Sequence, residues 1–220
     1  MIERSLIHEI RRFRRKRIKK VKNNEALIKL DKPGEGEAPV FILHLIPEKV
    51  FEYPTLIELS SLYKDLKAME PIYSTAWNGK YNSNGFVTYG HSIYRFQGSV
   101  GSYVQFFHNG IIEAVDLRLL HEGYLRGQLF KRGLIEALPR FLATMAQVGV
   151  EPPVYLMISF LNVYEFPSDF NGPLDSHRIE EQNLFLPQLK ISDMQCDIVE
   201  ALKPIFDIVW HAAGQPDSSL

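Results

Sequence analysis

Apolar residues recur at helical spacing through the first 22 positions of the chain. Ile2, Leu6, Ile10 and Phe13 follow one another at intervals of four, four and three, and Val21 falls on the same side. Arg11, Arg12, Arg15, Lys16, Lys19 and Lys22 lie mostly opposite. A period of about 3.6 predicts an amphipathic helix over 3–22, stopped at Asn23-Asn24. Residues 31–39, Asp-Lys-Pro-Gly-Glu-Gly-Glu-Ala-Pro, offer nothing to bury and read as a linker. Val40-Phe-Ile-Leu-His-Leu-Ile46 is a continuous apolar run closed by Pro47, the pattern of a strand covered on both faces and central in its sheet. Leu56, Leu59, Leu62 and Leu66 predict a short helix over 55–68, with Thr55 as its N-cap.

Residues 73–117 then alternate strands and turns. Phe86–Tyr89, Ile93–Gln97, Tyr103–Phe107 and Ile111–Leu117 are strand-like. Between them lie Tyr81-Asn-Ser-Asn-Gly85, Gly90-His-Ser92, Gly98-Ser-Val-Gly101 and Asn109-Gly110, all rich in residues that tolerate positive φ. The period returns to helical over 124–148, where Leu125, Leu129, Phe130, Leu134, Leu138, Phe141, Leu142 and Met145 form one stripe and Pro139 is expected to kink or divide it. Val154–Val163 is a second apolar strand, 167–178 a polar loop, and Arg178–Leu186 a weaker strand. A last helix is predicted over 193–211, interrupted by Pro204.

The resulting expectation is an α+β fold. It has a mainly antiparallel sheet of about five to seven strands packed by two long helices, with an N-terminal basic amphipathic helix. The division expected is a basic helix over 1–30, the linker 31–39, an accessory α+β body over 40–213, and a disordered tail over 214–220. No internal repeat or low-complexity segment is visible.

Composition is that of an ordinary soluble chain: 45 % hydrophobic, 23 % charged and 12 % aromatic over 220 residues, which excludes a wholly disordered or collagenous protein. No apolar run reaches the roughly 18 residues of a membrane span, and the charged start Met-Ile-Glu-Arg-Ser is unlike a signal peptide, so a cytoplasmic chain is expected. Charge changes the picture once it is divided. Residues 1–30 hold 11 Lys+Arg and 3 Asp+Glu, a balance of +8, and the remaining 190 hold 14 and 23, a balance of −9.

The common catalytic and cofactor patterns are missing. The chain has neither a GxxxxGK[ST] loop nor a strand-coupled GxGxxG to cradle phosphates, no Gly-x-Ser-x-Gly elbow, and no HxxxH or HxH pair among its seven histidines. Neither a cofactor nor a metal is expected, and catalysis by this chain is the minor reading. His44, inside an apolar strand, reads as a core histidine. The single cysteine, Cys196, sits among Asp193, Asp197 and Glu200, whose charges oppose the thiolate, and reads as structural. Asn84-Gly-Phe-Val-Thr-Tyr89 carries part of an RNA-recognition strand pattern but lacks its leading cation, and reads as a hairpin strand.

Two candidate sites remain. Arg11, Arg12, Arg15, Lys16, Lys19 and Lys20 could neutralise the phosphates of a nucleic acid, bind an acidic partner, lie on an anionic membrane surface, or be the solvated face of a helix docked through its apolar stripe. Alternatively, Trp77, Lys80, Tyr81 and Asn82, with His108 or Glu113, could line a pocket for a small molecule or a hydrolytic reaction.

Several segments also resemble a known family. They are Val40-Phe-Ile-Leu-His-Leu-Ile-Pro47, Trp77-Asn-Gly-Lys-Tyr-Asn-Ser-Asn-Gly-Phe86, Tyr103-Val-Gln-Phe-Phe-His-Asn-Gly-Ile-Ile-Glu-Ala-Val115, Gly149-Val-Glu-Pro-Pro-Val-Tyr155 and Pro204-Ile-Phe-Asp-Ile-Val-Trp-His-Ala-Ala-Gly-Gln-Pro216. In order, over residues 10–216, they are similar to the C-terminal region of bacterial proteins that begin with a Schlafen-type AlbA domain, described as DNA-binding or ATP-binding regulators. Arg12-Phe-Arg-Arg-Lys-Arg-Ile18 resembles the helix that joins the two regions of that family. The resemblance covers the accessory region and lacks the AlbA domain itself; the expectation of a non-catalytic interaction module comes from the missing catalytic spacing and the divided charge. It implies an AlbA-type domain as partner and assigns no role to any residue; the apolar stripe Leu6, Ile10 and Phe13, which would face such a domain, could instead drive self-association into a homo-oligomer. The expectation is either a free-standing accessory domain or the downstream part of a divided gene.

Overall fold

The computed structural model describes residues 2–31, 38–51, 56–93, 98–120, 122–169 and 177–216. It is an α+β fold built on one antiparallel sheet with helices on both faces. In chain order the elements begin with α1 (Ile2–Lys22) and the strand β1 (Val40–Pro47), followed by a meander of β2 (Trp77–Asn82), β3 (Gly85–Gly90), β4 (Ser102–Phe107) and β5 (Ile112–Asp116). A short β6 (Leu125–Arg126) leads into α2 (Gly127–Gln147). β7 (Val154–Leu161), β8 (Ser168–Asp169), β9 (Asn183–Phe185), β10 (Leu189–Ile191) and α3 (Ile198–Ala212) complete the fold. The strand order is β10-β7-β1-β5-β4-β3-β2, with β9 also paired to β7. The sheet therefore has eight strands among the described residues, wider than expected, because the segment read as one weak strand over 178–186 yields β9 and is followed by β10.

β1 lies between β7 and β5, with Leu43 opposite Ile158 and Ala114, and all eight of its residues are buried. The uninterrupted apolar run is the direct consequence of this central position. Alternate residues of the central strands face opposite layers. Phe41, Leu43, Leu45, Val104, Phe106, Ile112, Ile158 and Phe160 pack with Phe130, Leu134, Leu138, Phe141 and Phe206 of α2 and α3. Ile42, Ile46, Val115, Met157 and Leu161 face α1. The turn at Asn109-Gly110 behaves as its composition demands: Gly110 has φ 89°, and its amide closes the turn on the Phe107 carbonyl.

Three sequence expectations change. The helix expected over 55–68 is instead two 3₁₀ turns, Ser60–Lys64 and Leu66–Met69, and its proposed cap, Thr55, lies outside the described residues. Carbonyls that a helix would use are taken from outside: Tyr81 Oη donates to Leu59 and Ser60, Trp77 Nε1 to Leu66, and Arg140 to Lys67. Leu59 and Leu62 are buried at a spacing of three, as is Met69 beyond them, whereas Leu56 is exposed. Second, neither Pro139 nor Pro204 divides its helix; α2 and α3 run continuously through them. Third, the basic segment 1–30 is a layer of the same body. Leu6, Ile10, Ile18 and Val21 are buried under α1, Leu30 bridges to Val100, and Asp31 is buried, accepting from the Ile93 amide and Ser99 Oγ. Residues 32–37 of the linker, 94–97 of the strand expected over Ile93–Gln97, and 217–220 of the tail lie outside the described residues.

At the end of β5, Asp116 Oδ1 accepts from the amides of Arg118 and Leu119 and so shapes the chain reversal. Oδ2 is buried without a partner, as is Oγ of its cross-strand neighbour Ser102. Burial raises the Asp116 carboxyl from 3.8 to about 7, against the pull of those amides and of Arg118. A carboxyl whose folded pKa is raised makes the native state bind the extra proton. Its contribution therefore falls as pH climbs from about 4 through 7, by on the order of a few kcal/mol. Asp116→Asn keeps the Oδ1 acceptor and removes the charge. Urea denaturation should show the variant gaining stability over the wild type between pH 5 and pH 8; a difference independent of pH contradicts this reading.

Candidate nucleic-acid interface

α1 is held on the sheet by two arginines that the sequence reading placed on neither face. Arg17 reaches the middle of the sheet and meets Glu113 of β5 through both carboxylate oxygens, Nε to Oε2 at 2.7 Å and Nη2 to Oε1 at 2.6 Å. Glu113 also accepts from Tyr103 Oη of β4 at 2.8 Å, and its Oε2 lies 3.0 Å from His44 Nε2 of β1. Glu113 and His44 are fully buried, and Arg17 is only 6 % exposed. His44 and Gln105 flank Glu113 in register, so this polar row lies across the centre of the sheet directly beneath the helix.

Burial alone would raise the Glu113 carboxyl, but the hydrogen bonds and charges of Arg17 and His44 hold it down to about 2. Burial lowers Arg17, and the Glu113 contact more than restores it, so its balance is upward. Tyr103 is pushed well above its ordinary range by burial and by the adjacent Glu113 charge. The quartet is therefore a fixed ion pair with a neutral phenol, and His44 Nδ1 faces the core without a partner. The Arg17 guanidinium also sits over the Phe107 ring at 5.3 Å, and Phe13 meets the His44 ring edge-on. No reacting position is open to a substrate in this buried arrangement, and we read it as an anchor.

Arg14 secures the other side of the helix. β9 and β10 pair with opposite ends of β7, and between them Pro187 has no amide to donate. Arg14 fills that interruption: Nε donates to Ser159 Oγ at 3.0 Å, Nη1 to the Leu186 carbonyl at 3.2 Å and Nη2 to the Ile158 carbonyl at 2.6 Å. Its guanidinium lies over the Phe185 ring at 5.0 Å. Burial, with a smaller contribution from Arg11, lowers Arg14 to about 10, so it remains a cation at neutral pH. Spacing contained this signal. Leu6, Ile10, Arg14, Ile18 and Val21 continue one helical stripe, with Arg17 beside it, and a stripe occupied by arginine requires acceptors in the sheet below.

With Arg14 and Arg17 committed inward, the helix has a fixed rotation, and the six candidate cations separate into two sets. Arg11, Arg15 and Lys19 line a groove of about 640 Å³ together with His8, Lys22 and Phe185. Arg12, Lys16 and Lys20 do not line it; Arg12 lies 3.5 Å from Glu9. Arg11, Arg12, Arg15, Lys16 and Lys19 are exposed, and Lys20 is half-buried. One wall of the groove is the end of β9, and Arg11 Nε reaches Gln188 in the β9–β10 connection at 3.4 Å.

The second candidate set is not gathered in one place. Trp77 and Tyr81 face the 3₁₀ turns on the α2 side of β2, where they donate to backbone carbonyls and Tyr81 stacks on Tyr63. Lys80 and Asn82 point to the α1 side, over the Tyr89 ring and onto Gln105 at 2.7 Å. His108 lies in the turn after β4, its amide donating to the Asn84 carbonyl, and Glu113, the other candidate for that pocket, is buried under α1 and held by Arg17. Among the described residues, no group of three or more His, Cys, Asp or Glu side chains could hold a metal ion, and no helix is long and apolar enough to cross a membrane. Cys196 is half-buried, and burial together with Asp193 and Asp197 raises its thiol above the ordinary value.

No family model matches the chain, and neither does any curated protein or solved structure.

Removing one member of a buried ion pair strands the other charge, at a cost of about 3–5 kcal/mol. Glu113→Gln and Arg17→Met should each lose stability on that scale in urea denaturation. The double variant should recover much of the loss, because no charge is then left behind. The wild type should lose stability as pH falls from about 4.5 through 2, the window set by the depressed Glu113 carboxyl, and the Glu113→Gln variant should lack that component. Strict additivity of the two substitutions would contradict the pairing.

Proposed function

We propose that this chain is a non-catalytic binding module that recognises a polyanion, a nucleic acid in the first place, through the outward face of α1. The observation that carries the proposal is the groove between α1 and β9, where the groove-side cations line one concave surface instead of spreading around a free helix. Residues 1–30 carry +8 and the rest of the chain −9, so an anionic ligand is drawn to one side of the molecule and repelled elsewhere. The buried Arg17–Glu113 and Arg14–Ser159 contacts support the same reading, since they orient the helix before any ligand arrives. A place as the accessory region of a Schlafen-type AlbA regulator is proposed from the sequence resemblance. The enzymatic alternative finds no support at Trp77, Lys80, Tyr81, Asn82 and His108, whose side chains are divided between the two sheet faces and the turn after β4.

Binding that displaces condensed counterions weakens linearly in log salt, by about 0.7 per phosphate contacted on a single strand and about 0.9 on a duplex. Titration of the full chain with nucleic acid at about 50 and 200 mM salt should give a slope corresponding to about three or four contacts. Arg15→Glu with Lys19→Glu should nearly abolish binding while leaving urea stability within about 0.5 kcal/mol of the wild type. Affinity independent of salt, or unchanged in that variant, overturns the proposal.

A further inference from the structure

Resting on the polyanion reading above, we propose that the groove selects single-stranded nucleic acid over duplex, with Phe185 as the platform on which a base stacks. Two independent features meet here. One is the row His8, Arg11, Arg15, Lys19 and Lys22, at intervals of three, four, four and three. On a helix rising 1.5 Å per residue this row is about 21 Å long, with a side chain at about every turn. That is a track for a short extended run of phosphates. The other is Phe185 on the facing wall. Within β9, Leu184 turns inward at 8 % exposure while Phe185 stands 52 % exposed. A phenylalanine at the rim of a cationic groove contributes little to the core, and its exposed ring surface is the kind of group that single-strand binders offer to bases.

Arg14 completes the platform. Its guanidinium, which also lines the groove, lies over the Phe185 ring at 5.0 Å and is fixed by three hydrogen bonds, so a base stacking on the exposed part of the ring meets a positioned cation beside it. The groove volume of about 640 Å³ suits a nucleotide-sized group. A strand laid along α1 places its phosphates on the row and turns its bases across the groove toward Phe185. A duplex keeps its base faces stacked inside and can offer only phosphates. Duplex binding therefore uses the cations alone, whereas single-strand binding uses both walls.

The test compares three anisotropy titrations of the full chain at low salt. The probes are a labelled oligothymidylate of about 12 nucleotides, a duplex of equal length, and polyglutamate. The single strand is expected to bind most tightly. Phe185→Ala should weaken it about tenfold, the loss of one stacked base, and leave duplex affinity unchanged. Phe185→Trp should retain single-strand affinity and show quenching of the new indole on binding, which guards against a fold defect in the alanine variant. If the single strand and the duplex bind alike and Phe185→Ala changes neither, stacking is overturned while the polyanion reading stands. If polyglutamate matches the oligonucleotide, the nucleic-acid assignment falls with it. If no probe binds, or Arg15→Glu with Lys19→Glu has no effect, both readings fall together.

Discussion

A carboxylate at the centre of a sheet must have a cation above it. Glu113 is fully buried on β5, the neighbour of the central strand, and only its ionic partner makes that position tenable. Arg17 meets it through both oxygens, and this contact determines where α1 lies, which way it runs and which of its side chains face out. The attraction of helix to sheet comes mainly from apolar burial. Leu6, Ile10, Ile18 and Val21 together contribute on the order of 10 kcal/mol as an upper estimate, whereas a desolvated ion pair adds little net energy. The pair's role is registry: a helix rotated by one position would bury a cation with no acceptor and strand Glu113 as well.

The proposed function rests on that registry. Ten Lys and Arg residues within 1–22 would form a diffuse cationic cylinder on a free helix. Once Arg14 and Arg17 are tied to β7 and β5, the remainder has a defined order, and one line of it faces Phe185 across a groove. The remainder of the chain is acidic on balance, and the groove gives the basic excess of residues 1–30 a shape.

Much of the architecture was legible from hydrophobic patterning. The run 40–46 announced a central strand, the Asn-Gly and Gly-rich turns announced β3, β4 and β5 of the meander, and the stripe from Leu125 to Met145 announced α2; β2, polar and half exposed, was expected as a loop over 77–82. What was not legible depends on long-range partners. The leucines of 55–68 resemble a helix until the side chains of Trp77, Tyr81 and Arg140 take their carbonyls. Docking of α1 through its apolar stripe stayed one of several open readings because arginine counts as polar in any periodicity, and nothing local reveals that a glutamate 96 residues away lies beneath Arg17. Phe185 went unremarked because one exposed aromatic in a short strand has no pattern; only the groove gives it meaning.

The central claim is that α1 is a built-in layer whose basic face is oriented before any ligand binds. Hydrogen exchange of the amides of residues 10–18 in the ligand-free chain tests this most directly. Protection close to that of β1, lost only with global unfolding, is the predicted result. Rapid exchange of the whole helix, slowed only when a polyanion is added, would contradict it and return α1 to the status of a free basic arm.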